Sequence, residues 1–299
     1  MTTPSIQQAL QTAAKSGIDR LDAQLLMLHA LARPQTDRAW LITHDYELLD
    51  AETALVFTAL CRRRAAGEPL AYIVGSKAFF GLELQVDPRV LVPRPDTETL
   101  VEWALELTLT LWPTFHLSPS PVNSLHIVRR VLDMGTGSGA IALALKHSLP
   151  RWEVSALDAS LDALTVAQNN AKRLNLNVNF VQSLWFTALV DENSEKFNTK
   201  FDLIISNPPY IAEGDPHMAA LGHEPKQALT SGADGLDDIR QIIQQAPDFL
   251  RPGGWLLLEH GYDQAAAVRE LLRQRSFTQV QSRLDLGQIE RCSGGAWLG

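Results

Sequence analysis

From Ile127 onward, short apolar runs of strand type alternate with stripes of helical period, and this alternation most limits how the chain can fold. Val128 to Met134 reads as a strand and Ala140 to Leu149 as a helix. Val154 to Asp158 is the next strand. Ser160 caps the helix after it, with Leu164, Ala167, Ala171 and Leu174 on one stripe. Val178 to Val181 is a third strand, and the run around Leu203 to Ile205 a fourth. Leu236 to Leu250 is helical, and Arg251-Pro252-Gly253-Gly254 is a turn before a fifth strand, Trp255 to Glu259. A helix over Gln264 to Gln274 precedes two last strands, Val280 to Leu284 and Gly295 to Leu298, expected to form an edge hairpin. Strands separated by helices pair in parallel through crossovers. The expected class is therefore α/β, a doubly wound, mostly parallel sheet of seven strands.

The first third of the chain differs. Residues 1–75 read as a small all-α bundle. Ser5 caps a first helix that ends at Gly17. Asp19 opens a second, with Leu21, Leu25, Leu28 and Ala32 on its apolar face and Pro34 as its stop. Thr36 opens a short third helix. Asp50 caps a fourth, whose apolar side carries Ala54, Phe57, Leu60 and Cys61. Residues 76–95 read as a β-hairpin linker, with Phe79 to Val86 as one strand, Asp87-Pro88 as the turn and Val90 to Val92 as the other strand. Pro93-Arg94-Pro95 then blocks regular structure, and Asp96 or Thr97 caps a helix running to about Leu111. Residues 96–299 form the large domain. Pro113 to Ser124 and Asp191 to Lys200 read as surface loops.

A net charge of −8 argues against a dedicated nucleic-acid binder, which carries a basic surface. Cys61 and Cys292 are far apart and fit no metal spacing, the histidines are scattered, and no metal site is expected. Free thiols, the lack of a basic head or apolar core in Met1 to Gln11, and the absence of a long apolar run point to a cytoplasmic protein with no membrane contact.

Two stretches carry chemistry. The first is Asp133-Met134-Gly135-Thr136-Gly137-Ser138-Gly139, between a strand and a helix. Glycines let the backbone turn sharply and approach a ligand with no Cβ in the way. Asp158 ends the next strand, where a carboxylate can accept both ribose hydroxyls. Together they predict a nucleoside site. A dinucleotide would bring a pyrophosphate to the helix N-terminus, but Asp133 at the mouth of the loop opposes one and tolerates a cation. That favours S-adenosyl-L-methionine, with Gly135, Thr136, Gly137, Ser138, Gly139 and Asp158 as its contacts. Trp185, after the third strand, is a candidate to stack on the adenine or to sit in the core.

The second stretch is Asn207-Pro208-Pro209-Tyr210, where the fourth strand stops. Neither proline has an N–H to donate to a ladder, so Asn207 sits at a strand's carboxyl end, where open α/β sheets bind ligands. An amide, a rigid carbonyl and an aromatic face suit a flat group bearing NH2. Asn207, Pro208, Pro209 and Tyr210 are the expected acceptor contacts, with Asn207, Pro208 and Tyr210 carrying the reaction and Asn207 also facing the cofactor.

These residues resemble those of class I, Rossmann-like methyltransferases acting on planar amino groups. The wider set resembles the release-factor glutamine methyltransferase family. It adds Phe79 to Gly81, Pro93-Arg94-Pro95 with Thr97-Glu98, Glu224-Pro225, Asp234-Gly235-Leu236 and Pro252-Gly253-Gly254. The resemblance covers nearly the whole chain. It implies methyl transfer to the side-chain nitrogen of the glutamine in the Gly-Gly-Gln loop of peptide chain release factors; the helical bundle is then expected to dock the protein substrate, and a monomer is expected. One position departs from the family pattern: Leu184 stands where members often carry an acid, and Ser183 or a backbone group would have to take over an adenine contact. Three rivals remain: an adenine-N6 methyltransferase on DNA or RNA, to which Asn-Pro-Pro-Tyr is equally suited; an NAD-dependent dehydrogenase, which leaves Asn207 to Tyr210 without a task; and a non-catalytic adaptor that binds S-adenosylmethionine.

Overall fold

The computed structural model describes residues 3–112, 128–190 and 200–299. The expected loops at Pro113 to Ser124 and, but for Lys200, at Asp191 to Lys200 lie outside the described residues. The chain divides into two compact units, Met1–Ser76 and Lys77–Gly299.

The first unit contains α1 (Ile6–Lys15), α2 (Arg20–Ala30), α3 (Arg38–Thr43), α4 (Ala51–Ala65) and α5 (Leu70–Val74). Ser5 and Gln8 form a reciprocal capping box on α1; Asp19 caps α2 and Asp50 caps α4. The buried face of α2 is Ala23, Leu26, Met27 and Leu28, packed with Leu41, Leu49, Phe57 and Leu60. Leu21, expected on that face, is 44% exposed. The buried stripe begins two residues later, at Ala23, while Leu21 N–H is capped by Asp19 Oδ1 at 2.7 Å.

The second unit opens with a hairpin of β1 (Ser76–Phe79) and β2 (Leu82–Gln85). The expected hairpin was placed wrongly. The turn is Phe80-Gly81, both at positive φ (47° and 76°), as a two-residue turn of the type I′ class requires. Val90 to Val92 form no strand. Val92 N–H donates instead to the Glu224 carboxylate at 3.2 Å, and Pro88 and Pro93 flank the segment. α6 (Asp96–Leu111) follows Pro95, so Asp96 and Thr97 lie in its first turn rather than capping it.

The large sheet is built from β3 (Arg130–Met134), β4 (Glu153–Asp158), β5 (Asn179–Gln182), β6 (Phe201–Ser206), β7 (Leu250–Glu259), β8 (Thr278–Leu284) and β9 (Glu290–Trp297). Its order is β5-β4-β3-β6-β7-β9-β8, seven strands, with β9 antiparallel to its neighbours and the rest parallel. The crossovers are α7 (Ala140–Ser148), α8 (Leu161–Leu174) and α9 (Asp237–Gln245), and α10 (Ala265–Gln274) precedes the final hairpin. β6 is buried along its whole length. Leu203 and Ile205 face Trp103, Leu143 and Trp152, while Ile204 faces Ile239, Ile242 and Leu272. Both faces are covered, which is why this strand reads as an unbroken apolar run.

β7 starts earlier than expected. Leu250 already pairs with Phe201, and Arg251 to Gly254 form a register shift inside the strand rather than a turn before it. α9 ends at Gln245 rather than Leu250, since Pro247 cannot continue the helix. At the amino end of β6, buried Asp202 accepts from Arg129 (2.6 Å), Arg251 (2.8 Å) and Arg130 N–H (2.8 Å), tying three strands together away from the site.

Candidate active site

From β3 the chain passes to β4 and β5 on one side, then returns to β6 and β7 on the other. The order therefore reverses between β3 and β6, and a crevice opens at their carboxyl ends. Met134 pairs with Ser206, whose hydroxyl donates to Met134 C=O at 2.7 Å, so the two strand tips are held level.

The glycine turn lies at that crevice. Gly135, Gly137 and Gly139 have φ of 71°, 56° and 85°. A Cβ added at Gly135 would lie 3.7 Å from the Trp185 ring and 3.9 Å from the Asn207 carbonyl oxygen. The turn, Trp185 and Asn207 are thus brought together. Asp133 is wholly buried rather than open at the mouth of the loop. Its Oδ2 accepts from Thr136 Oγ1 (2.6 Å) and Ala142 N–H (3.1 Å), which ties the turn to α7. Its Oδ1 is buried with no partner. Burial pushes its carboxyl up to about 7, against the two hydrogen bonds, with Asp158 adding repulsion.

Asp158 accepts from Gly137 N–H (2.8 Å) and Ser160 N–H (2.9 Å), and its burial raises its pKa. Each oxygen keeps a second lone pair, so the carboxylate can still take hydroxyl donors. Ser138 is buried, and its carbonyl accepts from the Asn170 amide at 3.0 Å. Trp185 has φ of 49°, an uncommon conformation for an aromatic, and its Nε1 donates to Asp238 Oδ1 at 2.9 Å. It is both largely buried and against the glycine turn. Leu184 is exposed, and Ser183 donates its hydroxyl to Trp185 C=O (2.7 Å) while accepting from Ala188 N–H (3.0 Å).

On the other half of the crevice, the Asn207 amide Nδ2 donates to Thr97 Oγ1 at 3.2 Å. Tyr210 OH donates to Glu259 Oε1 at 3.3 Å; burial, and then the Glu259 charge, push its pKa above the usual phenol value. Tyr210 C=O accepts from Gln264 Nε2 at 3.0 Å. A Cβ at Gly235 would lie 2.3 Å from that same carbonyl, so only glycine fits beside the tetrapeptide. Pro208 and Pro209 follow Asn207 directly after the strand. Buried Glu224 bonds both Val92 N–H and Arg94, clamping the loop beyond the tetrapeptide to the segment before α6. Glu98 accepts Phe80 N–H at 2.9 Å, fixing the hairpin turn to α6.

Sequence reasoning missed the parts played by Thr97, Asp238, Glu259 and Gln264. A carboxyl closing the apolar run Trp255 to Leu258 was the one available signal for Glu259, since an isolated acid at the end of a buried strand must have a partner.

A seven-stranded sheet with a glycine turn and a strand-tip amide at its switch point defines a methyltransferase. The same fold is seen at low identity in solved structures. The human Mettl16 catalytic domain bound to a MAT2A 3′UTR hairpin matches with TM-score 0.55 and 18% identity, over 85% of this chain and 84% of that one. The N-terminal domain of human METTL16 with SAH matches with TM-score 0.50 and 17% identity, over 85% and 86%. Residues 5–75 match the PrmC N-terminal domain family and residues 119–234 the methyltransferase small domain family. Release factor glutamine methyltransferases from Burkholderia pseudomallei (45% identity over 98% of both chains) and Xylella fastidiosa strain Temecula1 (46% over 96% of both) are curated relatives. The chain belongs to the release factor glutamine methyltransferase family.

Proposed function

We propose that the crevice holds S-adenosyl-L-methionine on the β3–β4 side and a release-factor glutamine on the β6 side, and that the chain transfers one methyl group between them. The observation that carries this reading is the approach of the glycine turn to Asn207, at 3.9 Å from the position of a Gly135 Cβ. Bound there, the cofactor supplies an electrophilic methyl group on a sulfonium centre. The residues fit it: a turn with glycine at three positions, and a carboxylate with free lone pairs at Asp158.

The rest of the task falls to Asn207 to Tyr210. An amide nitrogen is a poor nucleophile because its lone pair is delocalised, and full deprotonation is out of reach near neutral pH. Asn207 Nδ2 is engaged by Thr97, which leaves Oδ1 as an acceptor. Asn207 Oδ1 and Pro208 C=O take the two N–H bonds of the substrate amide. That holds the nitrogen towards the donor and favours charge developing on it; the methyl replaces one of the two N–H protons, which is released to solvent. Pro209 stiffens the turn, and Tyr210 packs on the flat amide. The helical unit is assigned to docking the release factor, and the cytoplasm, where translation ends, is the place of action. Among the described residues no helix is long and apolar enough to cross a membrane.

Mass analysis of release-factor peptides after incubation with the cofactor tests the reading. One added methyl on the loop glutamine is expected. Asn207→Ala is expected to lower kcat about 100-fold with cofactor Kd within a few-fold. Methylation of duplex DNA or structured RNA in place of the factor would move the assignment to the adenine-N6 class.

A further inference from the structure

Glu259 ends β7 one strand away from Asn207 and is 1% exposed. A buried carboxyl costs stability unless its oxygens are used. Its Oε1 accepts from the Tyr210 hydroxyl at 3.3 Å, and the Thr97 hydroxyl lies close enough to the same carboxyl to pull its pKa down. Its Oε2 has no partner. Thr97 is itself buried and receives Asn207 Nδ2 at 3.2 Å. One carboxyl therefore reaches both polar side chains of the tetrapeptide, Tyr210 directly and Asn207 through Thr97.

The direction of these bonds follows from donor counting. A hydroxyl has one proton. If that proton goes to Glu259, Thr97 can only accept from Asn207, so the amide must turn its NH2 inward and its oxygen outward. The unpartnered Oε2 is the oxygen free to carry the carboxyl proton. Oε1 therefore stays an acceptor in either charge state, and the direction is kept.

We propose that Glu259 and Thr97 are positioning residues that set the Asn207 amide with Oδ1 towards the acceptor and hold the Tyr210 ring beside it. This rests on the assignment of Asn207 as the acceptor-binding residue. Without the relay, the two amide faces of Asn207 are nearly equivalent in shape. Molecules with NH2 outward would then present a donor to a donor.

The experiment compares Thr97→Val, Thr97→Ser and Glu259→Leu with the parent in methyl transfer to a purified release factor, alongside cofactor binding by calorimetry. Thr97→Val is isosteric and keeps the packing. Thr97→Val and Glu259→Leu are each expected to lower kcat about tenfold, with cofactor Kd within about twofold, and the double variant to be no worse than either alone. Thr97→Ser is expected to restore the rate. The side-chain NH2 resonances of Asn207 in 15N-asparagine-labelled protein read the orientation without activity: they move in Thr97→Val and Glu259→Leu and return in Thr97→Ser. Parent-like kcat in Thr97→Val, multiplicative losses in the double variant, or unmoved Asn207 resonances overturn the proposal. If instead Asn207→Ala itself keeps the parent kcat, it is the assignment of Asn207 that fails.

Discussion

Replacing Glu259 by glutamine is expected to stabilise the protein at alkaline pH and to lose that advantage on acidification. In the folded state burial raises the Glu259 carboxyl from 4.5 to about 7; the Thr97 and Tyr210 hydroxyls and Arg291 pull it down, and Asp96 adds to the rise. Below the unfolded value both states are neutral and the group is silent. Between the two values the unfolded chain releases the proton while the folded one keeps it, and each pH unit then costs the fold about 1.4 kcal/mol. Above the folded value the penalty levels off at about 3 kcal/mol. Glutamine never ionises, so the stability difference between variant and parent is expected to widen by about 2–3 kcal/mol from pH 5 to pH 8.5. Asp133, also raised to about 7, and His260, whose pKa burial lowers, titrate alike in both proteins and cancel. Urea titrations of the two proteins across that range, fitted with a common slope, give the difference directly. A difference that stays constant with pH, or narrows as pH rises, would refute the argument from burial.

Gly235→Ala drives a Cβ to 2.3 Å from Tyr210 C=O at a φ of 76°, and is expected to cost about 2–4 kcal/mol in chemical denaturation. Asp158→Ala removes the acceptor proposed for the ribose and frees Gly137 N–H; cofactor Kd by calorimetry is expected to rise about 10- to 100-fold. Trp185→Phe gives up the 2.9 Å bond to Asp238 while keeping an aromatic face, so a rise in cofactor Kd of roughly 3- to 10-fold is expected, with kcat at saturation little changed.

Much of the candidate site could be read from the chain because its two key stretches are local. The glycine turn and Asn207 to Tyr210 each announce themselves by residue type, and the strand before each is an unbroken apolar run, as a strand buried on both faces must be. Errors arose where distant partners decide the outcome. Val90 to Val92 looks like a strand, yet Val92 N–H is claimed by Glu224, more than a hundred residues on, and Val90 N–H by Asp87 C=O. Phe80 sits in a left-handed conformation that aromatic residues rarely adopt, so nothing local marked it as a turn. Arg251 to Gly254 carries every sign of a turn, but pairing of Leu250 with Phe201 pulls it into the sheet. Leu21 shows the same limit in the helical unit: it shares a helical stripe with Leu25 and Leu28, yet the buried face centres on Ala23, Leu26 and Met27. Glu259 and Thr97 are single letters whose meaning depends on two strands and a helix meeting.

The reversal of strand order between β3 and β6 has a consequence for how such a chain can change. Residues proposed to grip the donor come from the turns after β3, β4 and β5. Those proposed to face or position the acceptor come from the ends of β6 and β7 and the first turn of α6. On the proposed reading each reagent has its own bank of the crevice, and the approach of Gly135 to Trp185 and Asn207 is the narrow crossing. Substitutions along the β6–β7 bank can therefore retune which flat nitrogen is presented while the methyl donor keeps its seat.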